Sequence, residues 1–167
     1  MQILPVNSFN TKKEFLDLAR WIYQDDENWI CPLDQDIESI FNKNKNPFFA
    51  HGSCERWILK DGDGRTIGRV AAFINDKKAH QYEQPTGGMG FFECINDQEA
   101  AFKLFDTAKN WLMGKGMKAM DGPINFGEND SFWGLLVEGF TPPSYGMNYN
   151  LPYYQELFNA YGFVKEY

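Results

Sequence analysis

The chain has 167 residues, 43% of them hydrophobic and 17% aromatic, enough for one domain with a sizeable core. Its formal net charge of −7 leaves no basic footprint for nucleic acid and argues against binding to polyanionic membrane surfaces. Charged residues at 23% are ordinary for a folded protein and argue against disorder.

The N-terminal "MQILPVNSFNTKKEF" has no basic segment followed by an apolar run, and no stretch approaches the ~18 apolar residues of a membrane span. Cys31, Cys54 and Cys94 are scattered among apolar neighbours and read as reduced thiols, so a cytoplasmic protein is expected. His51 and His80 belong to no metal-ligand spacing, and no metal is expected.

In chain order, "MQILPV" suits a first strand. Thr11 and Glu14 then read as a capping box, followed by Phe15, Leu18, Ala19, Ile22 and Tyr23 at helical spacing. The acidic "QDDENWICPLDQD" marks a loop, and a short helix is expected around Ile37 to Phe41. "NKNKNPFFAHG" is a turn-rich connector. "RWILKDGDGRTIGRVAAFIN" reads as two strands around an Asp-Gly-Asp-Gly turn, a strong hairpin signal.

The polar "DKKAHQYEQPTGG" leads to a fourth strand, "MGFFECI". A helix follows, with Asn96 and Glu99 as its capping box and Ala101, Leu104, Phe105, Ala108, Trp111 and Leu112 as its apolar face. Gly114 or Gly116 should end it, and "KAMDGPI" reads as a short strand. Residues 122–149 are rich in Gly, Pro and Asn, a long irregular connection of the kind that carries function. In "NLPYYQELFNAYGF", Asn150 reads as an N-cap, Pro152 as first turn and Gly162 as a left-handed stop. "FVKEY" then begins a strand. This order implies an α/β domain spanning 1–167, with a mixed central sheet flanked by helices on both faces.

That order and the ending "LFNAYGFVKEY" resemble the GNAT superfamily of acyl-CoA-dependent N-acyltransferases. "NPFFAHG", "GRVAAFIN", "GFFECIND" and "GLLVEGF" are more specifically similar to the N-terminal half of a two-domain bacterial GNAT-like family. The resemblance implies a GNAT-like acyl-CoA N-acyltransferase fold and transfer of an acetyl group from acetyl-CoA to a small-molecule amine or peptide. It also implies that the final strand of the sheet is missing, to be supplied by a homodimer partner or an adjoining C-terminal GNAT domain. Phe163, Val164, Leu157 and Phe158 are the expected contact surface. The alternative is a non-catalytic module that packs on a partner acyltransferase domain.

Two departures from the family bear on mechanism. Where the family carries a glycine-rich loop whose amides bind the CoA pyrophosphate, along Cys94, Ile95, Asn96 and Asp97, this chain has "INDQEAA". Asn96, Asp97 and Glu99 can fill the helix N-terminal donors with their own oxygens, so acetyl-CoA should bind weakly or not at all. Where some members place a tyrosine general acid, this chain has Phe158; Tyr153 and Tyr154, one turn earlier, are the available phenols.

Glu93 falls on the fourth strand, where several GNAT enzymes keep a general base. Alternation puts Phe91, Glu93 and Ile95 on one face and Phe92 and Cys94 on the other. A glutamate beside such aromatics is either a base with a raised pKa or the partner of Arg56 or Arg69. Asn125, Asn129 and Asn150 are substrate-binding candidates by their amides, or turn and cap residues. Trp29 in the acidic loop offers a cation–π face, or lies in a solvated loop.

Overall fold

Three antiparallel pairings and one parallel pairing build a five-stranded mixed sheet in the order β1-β2-β3-β4-β5. The structure is a computed structural model that describes residues 1–79, 84–123 and 150–164. The strands are β1 Gln2–Pro5, β2 Gly52–Lys60, β3 Thr66–Asn75, β4 Thr86–Cys94 and β5 Ala119–Asp121. The helices are α1 Phe9–Ile22, α2 Asp34–Phe41, a short α3 Asp76–Ala79, α4 Gln98–Gly114 and α5 Tyr154–Tyr161, with a 3₁₀ turn at Pro47–His51. Among the described residues no helix is long and apolar enough to cross a membrane.

The expected mixed sheet with helices on both faces is present. Ile58, Ala71 and Phe91 point to α1 and α2, where they bury Phe15 and Ile37. Leu59, Val70, Ala72, Phe92 and Cys94 point the other way, onto Leu104, Phe105, Ala108 and Leu112 of α4 and Leu157 and Phe158 of α5. The period-2 alternation of β2 and β3 thus feeds two cores at once, which is why each strand carries an unbroken apolar run, Trp57–Leu59 in β2 and Val70–Ile74 in β3.

The β2–β3 hairpin forms where Asp-Gly-Asp-Gly placed it. Asp61 Oδ1 accepts the amides of Asp63 and Arg65, each at 2.9 Å, and Gly64 takes the left-handed φ of 82° that the turn needs. α2 is fixed to the sheet by Arg56, whose guanidinium makes a two-pronged pair with Glu38 at 2.7 and 2.9 Å and lies 4.1 Å over the Phe41 ring.

Three helix starts differ from the sequence reading. The cap of α1 is Ser8, whose hydroxyl accepts the Thr11 amide, while Thr11 Oγ1 accepts the Ser8 amide. Thr11 is therefore the third residue of the helix, and Glu14 instead reaches Lys60 at 2.8 Å. The cap of α4 is Asp97 rather than Asn96, because Asp97 Oδ1 takes the Glu99 amide at 2.9 Å while Asn96 is exposed. α5 begins at Tyr154 with no side-chain cap; Asn150, four residues upstream, donates from Nδ2 to the Leu151 carbonyl. A proline and a turn separate Asn150 from the helix it was expected to start.

Other elements shift by a few residues. β4 starts at Thr86, inside the expected loop, and α4 runs to Gly114 with Gly116 left-handed behind it. Gly162 is left-handed at φ 112°, as expected. Phe163 and Val164 lie in no strand, and residues 165–167 lie outside the described residues, as does most of the irregular connection, 124–149.

Candidate functional site

β4 carries an irregularity at the site. Its register against β3 shifts by one residue between the pairs Arg69–Glu93 and Ala71–Gly90, and Phe91 takes φ 53°. An extra residue in one strand is a β-bulge; it turns a carbonyl off the ladder and re-aims neighbouring side chains. Here the Phe91 carbonyl accepts from Arg69 Nε at 3.0 Å. Arg69 Nη1 donates to the Phe15 carbonyl at 2.7 Å, and the guanidinium lies 4.6 Å over the Phe15 ring. Beyond the bulge Phe91 and Glu93 face α1, while Phe92 and Cys94 enter the opposite core, as alternation predicts. Ile95 breaks the pattern. It packs against the α4 core because the strand ends at Cys94 and the chain turns toward the α4 cap.

Glu93 is buried, and both its carboxylate oxygens are engaged by tyrosines. The Tyr23 hydroxyl donates to Oε1 at 3.1 Å and the Tyr154 hydroxyl to Oε2 at 2.6 Å. Neither Arg56 nor Arg69 forms an ion pair with it among the described residues. Arg56 is committed to Glu38, and Arg69 acts on Glu93 through its charge alone. Burial raises the Glu93 carboxyl from 4.5 to about 7, against the opposing Arg69 charge and the two phenol donors. Burial likewise raises the tyrosines: Tyr154 and Tyr23 are pushed well above their ordinary range, with the Glu93 charge as the second cause. The group therefore holds one carboxyl that titrates near neutrality beside phenols that stay protonated.

The backbone of Cys94 is covered by the same helix start. Its amide donates to the Tyr154 hydroxyl oxygen at 2.9 Å, and its carbonyl accepts from the Tyr153 hydroxyl. The Cys94 thiol is buried in the α4 core and pushed up to about 12, chiefly by desolvation, so it is a packing group and not a nucleophile.

The structure thus brings Glu93, Tyr153, Tyr154 and Cys94 together. Asn96 and Asp97 lie apart, at the start of α4, and Asn150 is buried with its amide nitrogen on a backbone carbonyl. Asn125 and Asn129 lie outside the described residues. Phe158 is core, its ring centroid 5.2 Å from Phe92 and 4.9 Å from Phe105. With Leu157 equally buried, neither residue belongs to an outer contact surface; Phe163 is half-buried against Phe105, and Val164 is exposed.

Sequence reasoning missed Tyr23, taking it as one more apolar position of α1. A phenol on a buried helix face needs a hydroxyl partner, and that was the available signal. Trp29, weighed as a cation–π face or as part of a solvated loop, is half-buried and stacked on the Tyr23 ring at 4.9 Å and 7° between planes.

No family model matches the chain. It is 32% identical over 157 residues to Protein YghO of Escherichia coli (strain K12), covering 93% of this chain and 40% of that protein. It is 33% identical over 171 residues to a protein named bacterial ceramide synthase from Caulobacter vibrioides (strain NA1000 / CB15N), covering 99% of this chain and 43% of that protein. The chain therefore spans about two fifths of the length of the curated relatives it matches. Among solved structures, an acetyltransferase of the GNAT family from Staphylococcus aureus MU50 superposes with a TM-score of 0.48 at 10% identity, over 71% of this chain and 69% of that one.

The donor implied by the GNAT resemblance, acetyl-CoA, can be tested against these residues. A pyrophosphate needs free amides at a helix N-terminus. At α4 the Glu99 amide is taken by Asp97, and Asp97 and Glu99 add two like charges. With one first-turn amide already filled and two negative charges beside it, this turn disfavours a pyrophosphate.

Proposed function

We propose that this chain is a GNAT-like acyltransferase domain whose site serves the attack of an amine on an acyl group, with Glu93 as the base. The observation that carries the reading is a buried carboxylate, poised near neutrality, next to a bulge in a central strand. An ammonium ion cannot attack a carbonyl carbon; a neighbouring group must remove a proton first. A carboxylate with a pKa of about 7 can both accept that proton and pass it on. Glu93, once protonated, is then the group that returns a proton to the leaving group, while Tyr154 holds its carboxylate and Tyr153 holds the Cys94 carbonyl.

The resemblance suggests an acetyl donor and a small amine or peptide acceptor. The relative named a ceramide synthase widens both classes, since a ceramide is a long-chain amino alcohol acylated on nitrogen. The test is thiol release from short- and long-chain acyl-CoA in the presence of small amines, peptides and a long-chain amino alcohol. Glu93→Gln should lower the rate by about 100-fold or more. An unchanged rate refutes the base assignment.

A second reading has its own support: the chain is a module that packs on an acyltransferase domain, either a second copy or an adjoining one. It is favoured by the self-capped start of α4 and by the two-fifths coverage of the relatives. The thiol-release assay separates the two: the acyltransferase reading expects Glu93-dependent turnover even where acetyl-CoA binds weakly, and the module reading expects none from this chain alone.

A further inference from the structure

We propose that Tyr23 is a positioning residue for Glu93: its hydroxyl fixes Oε1 and, paired with Tyr154 on Oε2, favours the carboxylate form against burial and holds it in one rotamer. The inference rests on Glu93 being the base, but its observable is a property of the folded chain and needs no turnover.

The geometry makes Tyr23 a rigid donor. It is the C-cap of α1, with its amide on the Ala19 carbonyl at 2.9 Å and its own carbonyl accepting from Asp26 at 2.9 Å. The turn that follows folds Trp29 back onto its ring, parallel and 4.9 Å away. The side chain is 1% exposed. With both ring and backbone held, the hydroxyl meets Oε1 from a fixed direction.

Hydrogen accounting gives the arrangement a preferred charge state. Each phenol has one O–H to donate. Tyr154 spends its proton on Oε2 while its oxygen accepts the Cys94 amide, so its orientation is fixed from two sides. Tyr23 donates to Oε1, and its hydroxyl also meets that of Tyr154. Two donors aimed at two oxygens are satisfied by a carboxylate. A carboxylic acid would place its own proton against one of them and force that donor to turn. Hydrogen bonds to the charged form favour it, opposing burial.

The groups acting on Glu93 come from each neighbouring element. Tyr23 belongs to α1, Arg69 to β3, Tyr154 and Tyr153 to the start of α5, and the Cys94 thiol to β4 itself. Arg69 supplies charge, and its nitrogens donate elsewhere. Tyr23 is therefore the donor on Oε1, while Arg69 Nε and Nη1 are held by the Phe91 and Phe15 carbonyls.

The experiment is a carbon-13 carboxyl titration of the full chain by NMR, with the Glu93 resonance assigned by its loss in Glu93→Gln. Tyr23→Phe keeps the ring and its stack and removes only the hydroxyl. The Glu93 midpoint should rise by about one pH unit, a tenfold change in proton affinity. A midpoint within about 0.2 unit of the parent overturns the proposal. Should Tyr23→Phe fail to fold, 3-fluorotyrosine placed at position 23 decides instead. Its more acidic phenol is a stronger donor, so the midpoint should fall; an unchanged or higher midpoint overturns the proposal. A Glu93 that titrates as expected but whose Gln variant keeps full acyl transfer would refute the base reading and leave Tyr23's role standing.

Discussion

Arg69 Nε donates to the carbonyl oxygen of Phe91 at 3.0 Å, across the point where the β3–β4 register slips by one residue. A left-handed φ at a non-glycine residue costs of order 1–3 kcal/mol and persists only where its surroundings compensate. Arg69 is that compensation, for it also ties the Phe15 carbonyl of α1 to the same spot at 2.7 Å. Arg69→Met should remove a charged donor from two buried carbonyls and destabilise the fold by about 2–4 kcal/mol in urea unfolding. The same variant removes the charge that lowers the Glu93 pKa, so the Glu93 midpoint should rise. A stability change under about 0.5 kcal/mol would mean that the bulge holds without its arginine.

Close packing of α4 on the sheet depends on Gly68. A Cβ placed there would lie 2.5 Å from Leu104 Cδ1, and Leu104 is fully buried between Phe92 and its neighbours. Gly68→Ala should cost about 1–3 kcal/mol by pushing α4 off β3. Ala substitution at Gly62, in the β2–β3 turn, meets no atom within 4 Å and serves as the control. Equal unfolding midpoints for the two variants would contradict the close approach.

The start of α4 should repel a pyrophosphate. Acetyl-CoA should bind this chain more weakly than about 100 µM by calorimetry, since one first-turn amide is capped and the neighbouring charges are negative. Asp97→Asn keeps a capping oxygen and removes one charge, so any binding seen should tighten. Asp97→Ala should instead destabilise the helix by about 1 kcal/mol. Low-micromolar binding by the parent chain would sink this expectation.

What was legible in the sequence follows from how local each signal is. The hairpin was readable because Asp61 and Gly64 specify its turn within five residues, with no help from the rest of the chain. Both faces of α4 were readable from its period. The caps were readable only to within a few residues, because Ser8, Thr11, Asn96 and Asp97 are all competent cap residues and tertiary placement chose among them. Glu93 could be singled out as a carboxylate on an apolar strand, but its partners could not. Tyr23 and Tyr154 are 70 and 61 residues away from it, and the bulge that aims Glu93 at them leaves no mark in "GFFECI". The arginine partners offered by the neighbouring hairpin were plausible by proximity, yet Glu38 and two backbone carbonyls had taken them.

Glu93 should also leave a signature in the stability of the whole chain. Its carboxyl titrates at 4.5 in an ordinary setting and at about 7 in the folded chain, chiefly through burial. Between those values the folded state holds the proton more tightly than the unfolded one, so stability falls as pH rises. The contribution is whole below about pH 4.5 and is lost once pH passes about 7. A gap of that size corresponds to about 3 kcal/mol. Asp17 shifts the other way, lowered by its hydrogen bond from Lys13, but it is common to parent and variant and cancels in the comparison. Glu93→Gln binds no proton in either state. Its unfolding free energy, measured in urea at intervals from pH 5 to pH 8, should therefore decline less steeply than that of the parent chain. The two curves should diverge through pH 5 to 7 and run parallel above it, with the Gln variant the relatively more stable at high pH. Parallel curves across the whole range would mean that Glu93 ionises in the fold as easily as in water, and the base assignment would lose its physical ground.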